Sequence, residues 1–213
     1  MDCSPIRCYS TSIKRTTVRI PSQKDTTPMT AITASTPIPA GTTWAIDQVH
    51  SNVGFAVKHM VVSTFRGRFE DYDATLTANE DGTLRLEGRV SADSISVKDE
   101  NLATHLKAPD FFDTERHPYV TFTSTLVRAD NGSLVVDGEL TIKGNSRPIE
   151  ARGVITEPHE TFGGVEKIGL ELEAIVDRTE YGLDWNAPLP KGGFALANEV
   201  KLQINLELAQ QEA

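Results

Sequence analysis

The chain has 213 residues, 38% of them hydrophobic and 24% charged, with a formal net charge of −9 at pH 7. That length suits one domain of barrel or sandwich type with a substantial core and is short for two. Residues 1–40 hold five Lys/Arg against two Asp, whereas the remainder holds 16 Lys/Arg against 28 Asp/Glu; so acidic a body argues against nucleic acid as a partner and against docking on anionic membrane surfaces.

Residues 1–40 mix Ser, Thr, Pro and basic groups, and from Thr26 to Thr43 the chain is nearly a Thr/Pro linker. Such a stretch buries too little apolar surface to offset its ordering entropy, so residues 1–40 are expected to be a disordered extension and residues 41–213 the folded domain. The extension superficially resembles an organelle transit peptide; the plainer expectation is that translation begins at Met29. Both cysteines, Cys3 and Cys8, lie there, which leaves the body without an internal disulfide or a cysteine metal site. No apolar run approaches the ~20 residues that span a bilayer, and the first 40 residues lack the apolar core of a secretory signal, so no integral membrane segment and a cytoplasmic location are expected.

From Trp44 onward the dominant period is two, the mark of half-buried strands. Strands are expected over roughly 52–60, 66–78, 83–92, 119–128, 133–143, 147–157, 165–177 and 199–208. In the first, Val53, Phe55, Val57 and His59 share one face. The phase slips within 66–78, where Phe69 on one face gives way to Tyr72 and Leu76 on the other, which predicts a bulge. Asn79–Gly82 is a tight turn. Leu102 and Leu106 then sit one helical turn apart, Pro109 ends that short helix, and Phe111 and Phe112 follow between Asp110 and Asp113. Pro118 launches the next strand, which carries Phe122. Asp130–Gly132 and Lys143–Asn145 are further tight turns, favouring antiparallel pairing of sequence neighbours. Leu134, Val136, Gly138, Leu140 and Ile142 share an apolar face, as do Ile168, Leu170, Leu172, Ala174 and Val176, and Val200 to Leu208 in steps of two. A long Pro/Gly-rich loop containing Trp185 precedes the last strand; it reads as a gate or as a surface loop whose Trp packs on a rim. Eight such strands close into a barrel with room for one small ligand, or stack as an open sandwich, and periodicity does not separate the two.

Titratable groups point to little chemistry. The five histidines, His50, His59, His105, His117 and His159, form no pair with metal-ligand spacing, and no nucleophile or phosphate-loop motif is present. No catalytic, cofactor or metal site is expected. His59 falls on the apolar face and His105 on the helix, each either a structural residue or the polar group that orients a ligand head in an apolar pocket. Asp47 is expected to fix a turn by accepting from backbone amides. For Asp110 and Asp113 a salt bridge with Lys107 and Arg116, or a capping role, is expected, with Arg66 and Arg68 solvated.

Several stretches together resemble the YceI-like family of lipocalin-fold, polyisoprenoid-binding proteins. They are the opening Trp44-Ala-Ile-Asp-Gln-Val-His-Ser-Asn-Val-Gly-Phe-Ala-Val-Lys-His59, Gly67-Arg-Phe69, the helix-and-Phe segment His105–Phe122, Val136-Asp-Gly-Glu-Leu-Thr-Ile-Lys-Gly144 and the closing strand Asn198–Leu208. The resemblance spans roughly residues 42–208. Two features depart from the usual pattern: Asn101-Leu-Ala-Thr-His105 lacks the Arg-Asp pair with which the helix usually opens, and Arg178-Thr-Glu-Tyr-Gly-Leu-Asp-Trp185 fits only the branch with a Trp in this loop.

The resemblance implies an all-β fold with a short helical insertion, an eight-stranded antiparallel lipocalin-like barrel. It implies non-enzymatic binding, storage or transport of a long-chain isoprenoid or related lipid, export of many family members, and a homodimer. The residues expected to line the pocket are Phe55, Val57, Phe69, Leu102, Leu106, Phe111, Phe112, Phe122, Leu140, Leu170, Leu172 and Trp185, with His59 and His105 at a polar head. Two alternatives stand beside this: an enzyme using the cavity with a His general base, and a stress-linked interaction module with a filled barrel.

Overall fold

The computed structural model describes residues 37–130 and 133–212. The expected extension over 1–40, the alternative start at Met29, Cys3, Cys8 and the turn residues Asn131 and Gly132 lie wholly or largely outside the described residues.

Eight antiparallel staves close into a barrel, and three of them are broken in two. The first is β1 (Thr42–Ile46) followed by β2 (Asn52–His59), the second β3 (Ser63–Phe69) and β4 (Tyr72–Ala78), the third β5 (Leu84–Ser91) and β6 (Ile95–Ser96). Then come β7 (Tyr119–Asp130), β8 (Ser133–Ile142), β9 (Asn145–Ile155), a two-residue β10 (His159–Glu160), β11 (Glu166–Asp177) and β12 (Leu196–Gln210). Each stave pairs with its neighbour in sequence, and the ring closes because β12 carries β1 near its C-terminal end, β2 along its N-terminal half, and β11 on its other side. Among the described residues every stave is paired on both sides over part of its length, which settles the barrel against the open sandwich.

The breaks have local causes. Asp47 accepts from Val49 N at 3.0 Å, and Ser51 Oγ donates to Asp47 O at 2.7 Å, turning the chain between β1 and β2. Where a bulge was expected, the second stave breaks at residues 70–71, so that Phe69 and Tyr72, three apart in sequence, are both buried. Beyond the eight expected strands, β1, β6 and β10 are additions, each of five residues or fewer and too short for period two to register.

One inserted helix, α1 (Glu100–Lys107), joins β6 to β7. Asp99 caps it by accepting from Leu102 N at 2.8 Å. Ala108, forced extended by the following Pro109, ends it. No helix among the described residues is long and apolar enough to cross a membrane.

Inward-facing positions fill the barrel unevenly. At one end Trp44, Leu76, Leu134, Val136, Ile168, Leu170 and Leu208 form a tight plug, with Trp44 and Leu208 wholly buried. At the other, Phe69, Leu106, Phe111, Leu140, Ile142, Val176, Tyr181 and Leu183 gather beneath α1. Val135 breaks the in-out alternation, since it faces outward yet is fully buried. It sits in register between Arg128 and Arg152, whose heads pair with Asp130, Asp137 and Glu150.

Candidate functional site: an apolar cavity beneath the helix

Between the plug and α1 lies a cavity of about 400 Å³, within the range of small-molecule sites. The strands put it there by alternation: Val53, Phe55, Val57 and His59 of β2 and Leu172, Ala174 and Val176 of β11 all face it. Its floor is Ile46, Leu86, Ala151 and Leu206, on the inner edge of the plug. Partly exposed Leu102, His105, Phe112 and Trp185 border it on the helix side.

Thirteen of the fourteen residues singled out from the sequence lie on this cavity: Phe55, Val57, His59, Phe69, Leu102, His105, Leu106, Phe111, Phe112, Phe122, Leu140, Leu172 and Trp185. Leu170 does not. It shares the inward face of β11 with Leu172, but lies one step deeper, 1% exposed and packed in the plug. Alternation assigns a face and carries no information on depth along the barrel, hence the correction.

Aromatic rings form the upper wall. Phe55 stands 6.0 Å from Phe69 and 6.3 Å from Phe65, and Phe112 meets Phe69 edge-on at 5.9 Å. The Phe55 ring has room because its partner across the pair is Gly67, where an added Cβ would come within 2.5 Å of it. Phe111 and Phe112 reach the cavity because a compact turn folds back under α1: Phe111 N donates to Ala108 O, Phe112 N to Leu106 O, and Asp113 takes a left-handed φ of 52°.

His105 stands edge-on to Phe111 at 5.0 Å and to Trp185 at 5.2 Å, while its Nε2 lies 2.7 Å from Asp110 Oδ2. Asp110 thus partners His105 rather than Lys107, which pairs with Asp93 at 3.2 Å; Asp113 pairs with Arg116 as expected, at 2.5 Å. Pairing the two across a turn that follows the helix was not legible as a spacing.

The segment around Trp185 is held at several points. Asn186 donates to Leu196 O and accepts from Leu196 N and Ala187 N, clamping the base of the loop. Lys143 Nζ, from the β8–β9 turn, donates to Pro109 O at 2.8 Å and to Gly182 O at 3.0 Å, tying the post-helix turn to the Trp185 segment. Arg178, in the 3-10 turn Arg178–Tyr181 that ends β11, donates through Nε to Ala197 O at 2.9 Å and through Nη1 to Leu183 O and Trp185 O. It too lines the cavity. Sequence reasoning missed both cations, because their partners are backbone carbonyls of segments distant in sequence or held in a tight turn. Burial pushes the neighbouring Tyr181 phenol up to about 12.

A separate ionic cluster lies at the break between β1 and β2. Asp47, His50 and Glu207 bring their ligand atoms within 4.8 Å of one another. Lys167 Nζ reaches both carboxylates at 2.7 Å. Its ammonium is the cluster's cation, so the donor set reads as an internal ion pair. Lys167 and then His50 hold the Asp47 carboxyl well below the usual carboxylate range.

Comparison with known proteins follows the same outline. The model of the YceI-like domain matches residues 44–208. A UPF0312 protein of Staphylococcus aureus (strain USA300) is 30% identical over 177 residues, covering 80% of this chain and 99% of that protein. The crystal structure of the Campylobacter jejuni YCEI protein is 27% identical with a TM-score of 0.60, covering 78% of this chain and 97% of that one. A polyisoprenoid binding domain from Saccharophagus degradans, implicated in plant cell wall breakdown, superimposes with a TM-score of 0.53 at 11% identity, over 79% of this chain and 98% of that one; this likeness is one of fold.

Proposed function

The chain belongs to the YceI-like family, and from that premise we propose that it binds the apolar chain of a polyisoprenoid or related amphipathic lipid in the barrel cavity, as a non-enzymatic carrier or store. The observation that carries this reading is the unfilled half of the barrel, a cavity of about 400 Å³ walled by aliphatic and aromatic side chains. The polyisoprenoid-binding domain of like fold supports the class of ligand. At ~30 Å³ per water-sized group the space holds on the order of a dozen heavy atoms. Burying that many methylenes supplies roughly 10 kcal/mol gross, before the costs of ordering and association.

Native mass spectrometry of the purified protein, followed by organic extraction, tests the reading. A stoichiometric lipid, or uptake of prenyl chains or fatty acids by the apo protein, is the expected result. A clean apo mass that persists under challenge would sink it. Leu172→Trp, which fills the cavity from β11, is expected to abolish retention with an unchanged far-ultraviolet spectrum.

One observation favours a second reading, an enzyme with His105 as general base: its 2.7 Å pairing with Asp110 beside the cavity. On the carrier reading that pair orients the ring against Trp185, and His105→Gln keeps ligand uptake within a few-fold of the parent.

A further inference from the structure

The tip of the β2–β3 hairpin is an exposed turn built from apolar residues. Met60 and Val61 have φ of 50° and 63°, and Val62 N donates to His59 O at 3.2 Å. Positive φ at both central residues marks the type I′ hairpin turn, which favours Asn-Gly and strains a β-branched residue. Here Met60, Val61 and the following Val62 are 45%, 80% and 85% exposed. Met60 N donates to Ala195 O at 2.7 Å, which ties the tip to the Trp185 loop beside Phe194, itself 61% exposed. His59 and Phe65 of the hairpin and Leu196 of the loop line the cavity, so these four apolar side chains stand next to its rim.

Charge sets this corner apart from the acidic body. Residues 52–69 and 186–198 contain Lys58, Arg66, Arg68 and Lys191 and no Asp or Glu. Arg68 pairs with Glu70, whereas Lys58, Arg66 and Lys191 are exposed and make no ion pair among the described residues. Asp184 and Glu199 flank the loop in sequence, and Glu199 shares an outer groove with Lys58, Arg66 and Lys201, three cations to one carboxylate; Lys201 pairs with Glu173. We propose that this tip docks the barrel on an anionic lipid bilayer, with Met60, Val61, Val62 and Phe194 entering the interface and Lys58, Arg66 and Lys191 meeting the headgroups. Apolar side chains flanked by cations suit such a surface, because burial and headgroup attraction add. The net charge of the body argues against it, but repulsion from acids beyond the ~8 Å screening length is weak at physiological salt, and contact is decided by what lies at the tip. The strained turn fits the same reading, since Asn and Gly, which would relax it, would not insert. Docking goes beyond chain binding and gives the cavity rim a surface with which to exchange lipid.

Flotation of the delipidated full-length protein with vesicles tests this, comparing phosphatidylcholine alone with an equal mixture of phosphatidylcholine and phosphatidylglycerol. The protein should float with the mixed vesicles and less with phosphatidylcholine alone. In the double variant Met60→Asn, Val61→Gly, affinity for the mixed vesicles should fall at least about tenfold, while the thermal midpoint stays level or rises because the turn gains the residues it prefers. Lys58→Gln together with Lys191→Gln should reduce the preference for the mixed vesicles by roughly tenfold. Failure of the parent to float, a turn variant that floats as the parent does, or a preference unchanged in the lysine variant overturns the proposal. So does a parent dimer that the turn variant dissociates in the absence of lipid, which would show that a second copy covers the tip. Because flotation is read without a bound chain, failure to dock and failure to carry a lipid are separate results.

Discussion

Asp47 illustrates how one carboxylate can serve the backbone and the ion-pair network together. One oxygen accepts from Val49 N and the other meets Lys167 Nζ and His50 Nδ1. The turn role was legible from its place in the opening Trp44-Ala-Ile-Asp47 motif; Lys167, 120 residues away, was not. Because the folded carboxyl titrates well below its usual range, its stabilising contribution is complete above the unfolded value of about 3.9 and is lost as pH falls through the depressed folded value. Asp47→Asn is thus expected to lower stability by about 1–2 kcal/mol at neutral pH, and the gap from the parent should narrow below about pH 4. Urea midpoints measured across that range check this; a gap independent of pH would contradict the ion-pair account. His59 and His105 mark the limit of residue-scale reading. Sequence placed both near an apolar interior, and the structure puts both on the cavity, yet the carboxylate that meets His105 became visible only with the turn after α1.

At the scale of elements, the capping segments matter more than any single strand. α1 and its Phe111–Phe112 turn lie on one side and the Trp185 segment on the other, and Lys143 joins them by donating to a carbonyl of each. Asn145, two residues on, donates to Tyr181 O at 3.1 Å from the same turn. The β8–β9 turn therefore works as a brace for the cap as well as a reversal of the chain. Lys143→Met keeps the stem and removes the two donations. It is expected to leave the barrel within about 1–2 kcal/mol of its parent stability while raising hydrogen exchange at Phe112, Thr114 and Leu183 and speeding ligand release. Unchanged exchange at those amides would show that Asn186 and Arg178 hold the cap by themselves. The helix was readable from Leu102, Leu106 and Pro109, since its period and its stop are local; its docking over the barrel was not.

For the whole molecule, the division of the barrel into a packed half and an empty half sets what it can hold. Trp44, Leu76, Ile168, Leu170 and Leu208 close the floor, so a chain that enters beneath α1 meets a fixed end. Affinity in a series of n-alkanoates should rise about fourfold per added methylene, the equivalent of ~0.8 kcal/mol, and level off at roughly a dozen carbons, where the cavity is full. Calorimetry along the series checks it. A steady rise through octadecanoate would mean that the plug or the Trp185 segment yields to longer chains. The same division is the ground on which the carrier reading is proposed over that of a filled barrel.

What the sequence by itself determined was periodic or local: eight staves, their facing residues, the tight turns, the short helix and its stop, and the family outline. Those features follow from side-chain alternation and from backbone preferences of Pro, Gly, Asn and Asp within a few residues. Tertiary structure alone decided depth and partnership. Leu170 and Leu172 are equivalent by alternation, and only the barrel's length separates plug from cavity. Lys143, Lys167 and Arg178 read as ordinary cations until closure brings Pro109, Asp47 and Ala197 to them. Long-range packing brings together groups with no fixed spacing in the chain, and so it decides where this protein leaves room and which carbonyls its cations hold.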